Sequence, residues 1–162
     1  MTRSFQNSAW VNDMTDREFM KEALRLARIS GAEGEIPVGA VIVKDGRIIA
    51  SGRNMREQKK NALSHAETEA IYAACEALGS WRLTGCTLYV TLEPCPMCAG
   101  ACINARLDRV VFGAYDYKAG SFDSLTDLNR VGYNHKPEIT AGFMEKECGA
   151  VLTEFFSAIR KK

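Results

Sequence analysis

Two short motifs constrain most strongly how this chain can fold: His65-Ala66-Glu67 and Pro94-Cys95-Pro96-Met97-Cys98. Each falls where a polar stretch gives way to a helical pattern. Between them the pattern predicts one helix and one strand. Cys95 and Cys98, three apart at a helix start, share one helical face. Unpaired N–H groups make a helix N-terminus electropositive, which stabilises a thiolate there. In a parallel arrangement the two helices are expected to begin at the carboxyl ends of neighbouring strands, the edge where α/β sites gather. His65 and the two sulfurs can then converge across thirty positions of sequence.

One imidazole and two thiolates make three protein ligands. Zinc takes four, and a fourth position left to water marks a catalytic rather than a structural site. Water held by such a zinc has its pKa lowered from about 15.7 to about 7. Glu67, two residues beyond His65, is placed to face the same cavity without ligating, where a carboxyl can shuttle protons. Pro94 suits a first helical turn, in which a missing N–H costs nothing. Parts of the pattern admit other readings. Cys-x-x-Cys alone also fits a redox dithiol. Cys102 extends the stripe to Cys95-Cys98-Cys102, as a four-ligand structural zinc or a cluster would need, yet it lies one turn deeper, where small buried thiols are common. The conjunction of both motifs favours the catalytic zinc site. Cys75, Cys86, Cys102 and Cys148 read as small buried apolar residues, and His135, in Tyr133–Pro137, as a hydrogen-bonding or turn residue.

The surrounding pattern is α/β. Residues 1–13 lack periodicity and read as a loose arm; 14–162 read as one domain. Thr15 with Glu18 forms a capping-box signature, followed by apolar residues at helical spacing that Gly31 closes. Pro37–Val43 is nearly continuously apolar, as a strand covered on both faces requires. Asp45-Gly46 then turns the chain into an antiparallel partner at Ile48–Ala50. Arg53–Ser64 reads as a loop and His65–Leu78 as a helix. Cys86–Thr91 is a strand, Pro94 or Cys95 to Arg106 a helix, and Arg109–Gly113 a strand parallel to the previous one. A loop-rich stretch from Ala114 to Lys136 leads to a short β segment and an amphipathic helix ending near Arg160. The expectation is a mixed sheet sandwiched by helices.

Composition narrows the class further. Of 162 residues, 46% are apolar, enough for a core without staples. Lys+Arg and Asp+Glu number 21 and 20, a net charge of +1 that neither requires nor excludes a nucleic-acid partner. The first sixteen residues hold no apolar stretch of signal-peptide length, and no run spans a membrane. The expected compartment is cytoplasmic and reducing, where six clustered cysteines more often bind metal than pair.

The spaced His-x-Glu and Pro-Cys-x-x-Cys motifs resemble those of the cytidine deaminase-like zinc deaminases. The likeness to bacterial tRNA-specific adenosine deaminases runs from about Asp16 to Arg160. It is carried by Ile36–Val41, Gly52-Arg53-Asn54, His65-Ala66-Glu67, Thr87–Ala101, Arg109–Ala114 and Asn134–Ile139. The resemblance implies a three-layer α/β/α sandwich with a mixed five-stranded sheet. It further implies hydrolysis of adenosine to inosine at the wobble position of a tRNA anticodon stem-loop, by a homodimer with one zinc ion per subunit. On that resemblance His65, Cys95 and Cys98 hold zinc and Glu67 relays protons. Asn54 hydrogen-bonds the purine, Ala66 offers its backbone to the base, and Asp116, Lys118 and Phe156 lie near the RNA. For Asp116, Lys118 and Phe156 the residues themselves fit equally a solvated loop and a core aromatic. Asp123 stands where the family pattern leads one to expect glycine. Arg53, Arg56, Lys59, Lys60 and Arg160–Lys162 offer a phosphate track, or a merely solvated face. A free-base deaminase of guanine or cytidine type, and an inactive zinc-stabilised RNA-binding subunit, remain the competing readings.

Overall fold

The computed structural model describes residues 15–161; the expected arm at 1–13 lies outside them. Helix α1 (Asp16–Ala32) starts as its sequence dictates, with the Thr15 side chain accepting the Glu18 N–H, and runs one residue past Gly31. Strands β1 (Gly39–Lys44) and β2 (Arg47–Arg53) form a hairpin whose turn residues, Asp45 and Gly46, both have positive φ. A short helix α2 (Arg56–Lys59) occupies the segment expected to be loop. Helix α3 (Ala66–Leu78), strand β3 (Cys86–Leu92), helix α4 (Pro96–Asn104) and strand β4 (Arg109–Ala114) follow. A 3-10 turn (Leu128–Arg130), strand β5 (Glu138–Thr140) and helix α5 (Glu145–Arg160) complete the chain.

The sheet order is β2-β1-β3-β4-β5, with β1 antiparallel to both its neighbours and the last three strands parallel. The mixed five-stranded sheet is as expected. One detail differs. The helices bearing the two motifs follow β2 and β3, which point the same way but are separated by β1. The hairpin places its first strand inside the sheet, so the motif-bearing strands are next-nearest neighbours.

Strand alternation divides the apolar run of β1 between two cores. Ile42, Leu88, Val90, Val110 and Phe112 pack with Ala66, Ala70 and Ala74 of α3 and with Ala99, Cys102 and Ile103 of α4. Val41, Val43, Tyr89 and Val111 face the other way, onto α1 and onto Cys148 and Val151 of α5. Helices thus cover both faces, which makes three layers. A bidentate pair from Arg109 to Asp16, both N–O distances 3.0 Å, ties β4 to the first turn of α1, and Tyr89 donates to Asp16 as well. The hydrogen bond from Arg109 holds the Asp16 carboxyl below its usual range.

Two glycines set how closely helices approach the sheet. A Cβ on Gly39 would overlap the Ala23 carbonyl of α1 and lie 2.7 Å from the Ala27 nitrogen. A Cβ on Gly52 would overlap the Ala66 carbonyl and lie 2.6 Å from the Ala70 nitrogen, at the very start of α3. The alanine stripe of α3 and Gly52 therefore bring the His65 end of that helix against β2. Gly52→Ala should lower unfolding stability by about 1–3 kcal/mol, because the obstacle is backbone and cannot rotate away. Gly149→Ala, helical and with open space around it, should raise stability by about 0.5–1 kcal/mol. Urea denaturation midpoints of the two variants check both signs.

Candidate active site

His65 and Cys95 are the cap residues of α3 and α4, and Cys98 lies in the first turn of α4. The proline in the first helical position is Pro96; Pro94, expected there, precedes the cap instead. Both cap residues have extended backbones, which turns their side chains toward the space between the two helix starts. At His65 the backbone N–H is taken by the Thr68 hydroxyl at 3.1 Å.

The His65 Nδ1 lies 3.7 Å from the Cys95 Sγ and 3.5 Å from the Cys98 Sγ, and the three donor atoms all fall within 4.8 Å of one another. A tetrahedral zinc with Zn–S of about 2.3 Å and Zn–N of about 2.0–2.1 Å sets its nitrogen and sulfur roughly 3.5–3.6 Å apart. The spacing and donor chemistry therefore suit an ion at their centre. Cys98 is fully buried and Cys95 half-buried. The hydrogen bond from Cys98, with that of His65, lowers the Cys95 thiol to about 4. The same pairing, together with burial, raises Cys98. His65 is raised, chiefly by its hydrogen bond to Cys95. Cys102 is fully buried among apolar neighbours and is not part of the three-atom cluster, as its depth in the helix suggested. Cys86 and Cys148 are likewise buried, whereas Cys75 is only half so.

His65 and Cys95 of the cluster line a pocket of about 180 Å³. Glu67 enters it from the first turn of α3. Burial pushes its carboxyl up to about 7. Ile36, Val38 and Leu92 supply apolar walls, while Asn54, Ala66, Arg56, Glu93, Asp116 and Ala119 line the remainder. The Asn54 carboxamide is locked: its Nδ2 donates to the Ile36 carbonyl at 3.1 Å and its Oδ1 accepts the Arg56 N–H at 3.2 Å. One N–H and one lone pair of that amide stay available.

The other expected site residues are distributed differently. Lys118 is exposed outside the pocket, its backbone N–H bonded to Asp116 Oδ1. Phe156 is neither in the pocket nor a core residue; it stands 41% exposed on α5, edge-to-face with Phe155. His135 is a hydrogen-bonding residue, its Nε2–H donating to the Leu107 carbonyl at 2.6 Å. In the suggested phosphate track, Arg53 and Lys59 already pair with Glu33 and Glu69.

Two residues at this site escaped the sequence reading. Glu35 and Glu93 are each 1% exposed. Glu35 accepts the Glu57 and Gln58 N–H groups, both at 2.9 Å, and so anchors α2 beside Asn54. Glu93 binds the loop after β4. Their one signal was a glutamate abutting an apolar strand, where a charge is seldom buried unless paired.

With this geometry in hand, known proteins place the chain. A family model described as MafB19-like deaminase matches residues 14–160. The tRNA-specific adenosine deaminase of Bacillus subtilis (strain 168) is 49% identical over 148 residues, 91% of this chain and 92% of its own length. This chain belongs to the tRNA-specific adenosine deaminase family. The relative of that description from Streptococcus pyogenes serotype M1 is 43% identical over 89% of the chain and 85% of its own. A solved structure from a study of A-to-I editing by tRNA:A34 deaminases superimposes with a TM-score of 0.82 at 43% identity. It covers 84% of this chain and 99% of the other. The His65, Cys95 and Cys98 donor atoms form a group that could hold a metal ion. Purified protein is expected to carry one bound divalent ion per chain by mass spectrometry, and Cys98→Ser to lose it. A metal-free native protein, or a variant that keeps its ion, would refute the ligand set.

Proposed function

We propose that the chain hydrolyses adenosine to inosine at the wobble position of a tRNA anticodon, with zinc held by His65, Cys95 and Cys98. The observation that supports this most is Glu67: a buried carboxyl facing the same small pocket as the three donor atoms, for which a purely structural metal site has no use. Bound zinc supplies Lewis acidity that makes a water nucleophilic near neutral pH.

The chain's own groups do the rest. Glu67 accepts a proton from the attacking water and hands it to the purine ring nitrogen beside C6; it then takes the second proton from the new C6 hydroxyl and passes it to the departing amine, so that water is consumed and ammonia leaves. Asn54, its carboxamide already oriented by Ile36 and Arg56, offers its free N–H and lone pair to the purine edge. Ala66, buried at the head of α3, borders the base through its backbone. Ile36, Val38 and Leu92 exclude water from the ring faces. A stacked base could not enter such a pocket, but the unpaired bases of an anticodon loop can be splayed into it at small cost. Asp116 lies at the pocket edge, with Lys118 and Phe156 further out on the surface that flanking nucleotides would meet.

The same reading takes the protein as a cytoplasmic homodimer whose residues 14–162 form one deaminase domain behind an N-terminal arm. Unpaired cysteines suit that compartment, and no helix among the described residues is long and apolar enough to cross a membrane.

The test offers the protein an anticodon stem-loop with adenosine at the wobble position, beside free adenosine, cytidine and guanine. Inosine is expected in the stem-loop alone. Conversion of free guanine or cytidine with the stem-loop untouched would contradict the reading. Glu67→Ala should keep its metal and lose activity by about 10²–10⁴-fold; retained turnover would remove Glu67 from the chemistry.

A further inference from the structure

We propose that Glu93 is a positioning residue that presets the pocket wall formed by Asp116 and Ala119, and thereby how tightly the RNA base is held. The inference rests on the deaminase reading and concerns a residue that borders the pocket, lies outside the three-donor cluster and has its carboxyl oxygens taken by a loop. Glu93 follows β3 directly and precedes Cys95 by two positions. It is 1% exposed, yet its carboxyl oxygens collect five donors from a single loop. Oε1 accepts the Asp116 N–H at 3.1 Å and the Ser124 hydroxyl. Oε2 accepts the N–H groups of Phe122, Asp123 and Ser124 at 3.3, 2.9 and 2.9 Å.

The loop clasps the same two residues through their backbone. The Glu93 N–H donates to the Ala114 carbonyl at 2.8 Å, and the Ser121 N–H to the Pro94 carbonyl at 3.0 Å. Gly120 packs where a Cβ would overlap the Glu93 carboxyl. Between Ala114 and the 3-10 turn at Leu128 the chain has no helix or strand, only an isolated bridge from Phe122 to Asp127. Such a segment holds one conformation only when its backbone donors find fixed acceptors. Glu93 supplies them. Asp116 in turn accepts the N–H groups of Lys118 and Ala119 at 3.0 and 3.2 Å, so the order passes from Glu93 to the two loop residues that line the pocket, Asp116 and Ala119. Asp123, where glycine was expected, keeps a φ that any residue adopts, and only its N–H is used.

Two features follow from one carboxylate serving both sides. The loop moves with Glu93-Pro94-Cys95, so the pocket wall keeps its distance from the metal-bearing helix start. A loop released from Glu93 would populate the binding-competent wall only part of the time, and apparent affinity falls by that fraction. The chemical step, carried by groups on α3 and α4, is left unchanged once the base is seated.

Glu93→Gln keeps the shape but turns one acceptor into a donor facing backbone N–H groups. Ser124→Ala removes one donor and leaves the carboxyl intact, as a second variant should Glu93→Gln fold poorly. Both are compared with the wild type on the wobble-adenosine stem-loop and by amide hydrogen exchange of the free protein. For Glu93→Gln the expected result is a KM raised about 10–100-fold, kcat within about threefold, one metal ion per chain, and faster exchange at 116 and 122–124. Ser124→Ala should shift KM and exchange in the same direction and by less. Unchanged KM, or loop amides exchanging as in the wild type in both variants, would overturn the proposal. So would a fall in kcat at constant KM. A wild type inactive on the stem-loop would instead remove the functional reading, while the exchange data still decide whether Glu93 orders the loop.

Discussion

The approach of three donor atoms at two helix starts is the contact on which the rest of the site depends. His65 and Cys95 cap α3 and α4, and Cys98 follows one turn on, so the nitrogen and sulfurs meet at 3.5–3.7 Å. That meeting requires α3 to lie hard against β2. Gly52 and the alanines at 66, 70 and 74 permit it, and no larger residue at position 52 would. The sheet transmits the constraint: β1 sits between the two motif-bearing strands and pairs with both. A three-donor cluster assembled from segments thirty residues apart, able to hold a metal ion, thus rests on backbone-to-backbone packing one layer away.

Around the metal cluster the walls are built by a second device, buried carboxylates that take backbone donors. Glu35 holds the start of α2 and, with Ile36, the surroundings of Asn54. Glu93 holds the loop that brings Asp116 and Ala119 to the pocket. Each spends its charge on several hydrogen bonds, which is what makes burying it tolerable. Asn54, Asp116 and Ala119 are therefore placed by carboxylates whose own oxygens are taken up by backbone donors. Preorganisation of this kind keeps a small pocket open and shaped before substrate arrives.

Much of this was legible in the sequence, and the remainder failed for definable reasons. The apolar run of β1, the Asp-Gly turn and the Thr15 cap are local signals, and each produced its element. The metal-type cluster was legible because helix-start placement and i, i+3 spacing are local too. Sheet order was not. Nothing near Gly46 announces that the hairpin's first strand will separate β2 from β3. The helix α2 went unseen because its two backbone donors are satisfied by Glu35, over twenty residues away. Phe156 sits in an amphipathic pattern that suggests a core, but α5 buries little beyond Cys148 and Val151, and Phe156 faces solvent. Glu93 reads in the sequence as one charge beside a cysteine motif; only the return of a loop from 116–124 shows its partners.

The central claim is an open, three-ligand metal site with Cys102 outside it. X-ray absorption at the zinc edge of the zinc-loaded protein measures this directly. The account predicts two sulfur scatterers at about 2.3 Å and two nitrogen or oxygen scatterers at about 2.0–2.1 Å, unchanged in Cys102→Ala. Three or four sulfurs at zinc, with one lost in that variant, would contradict it.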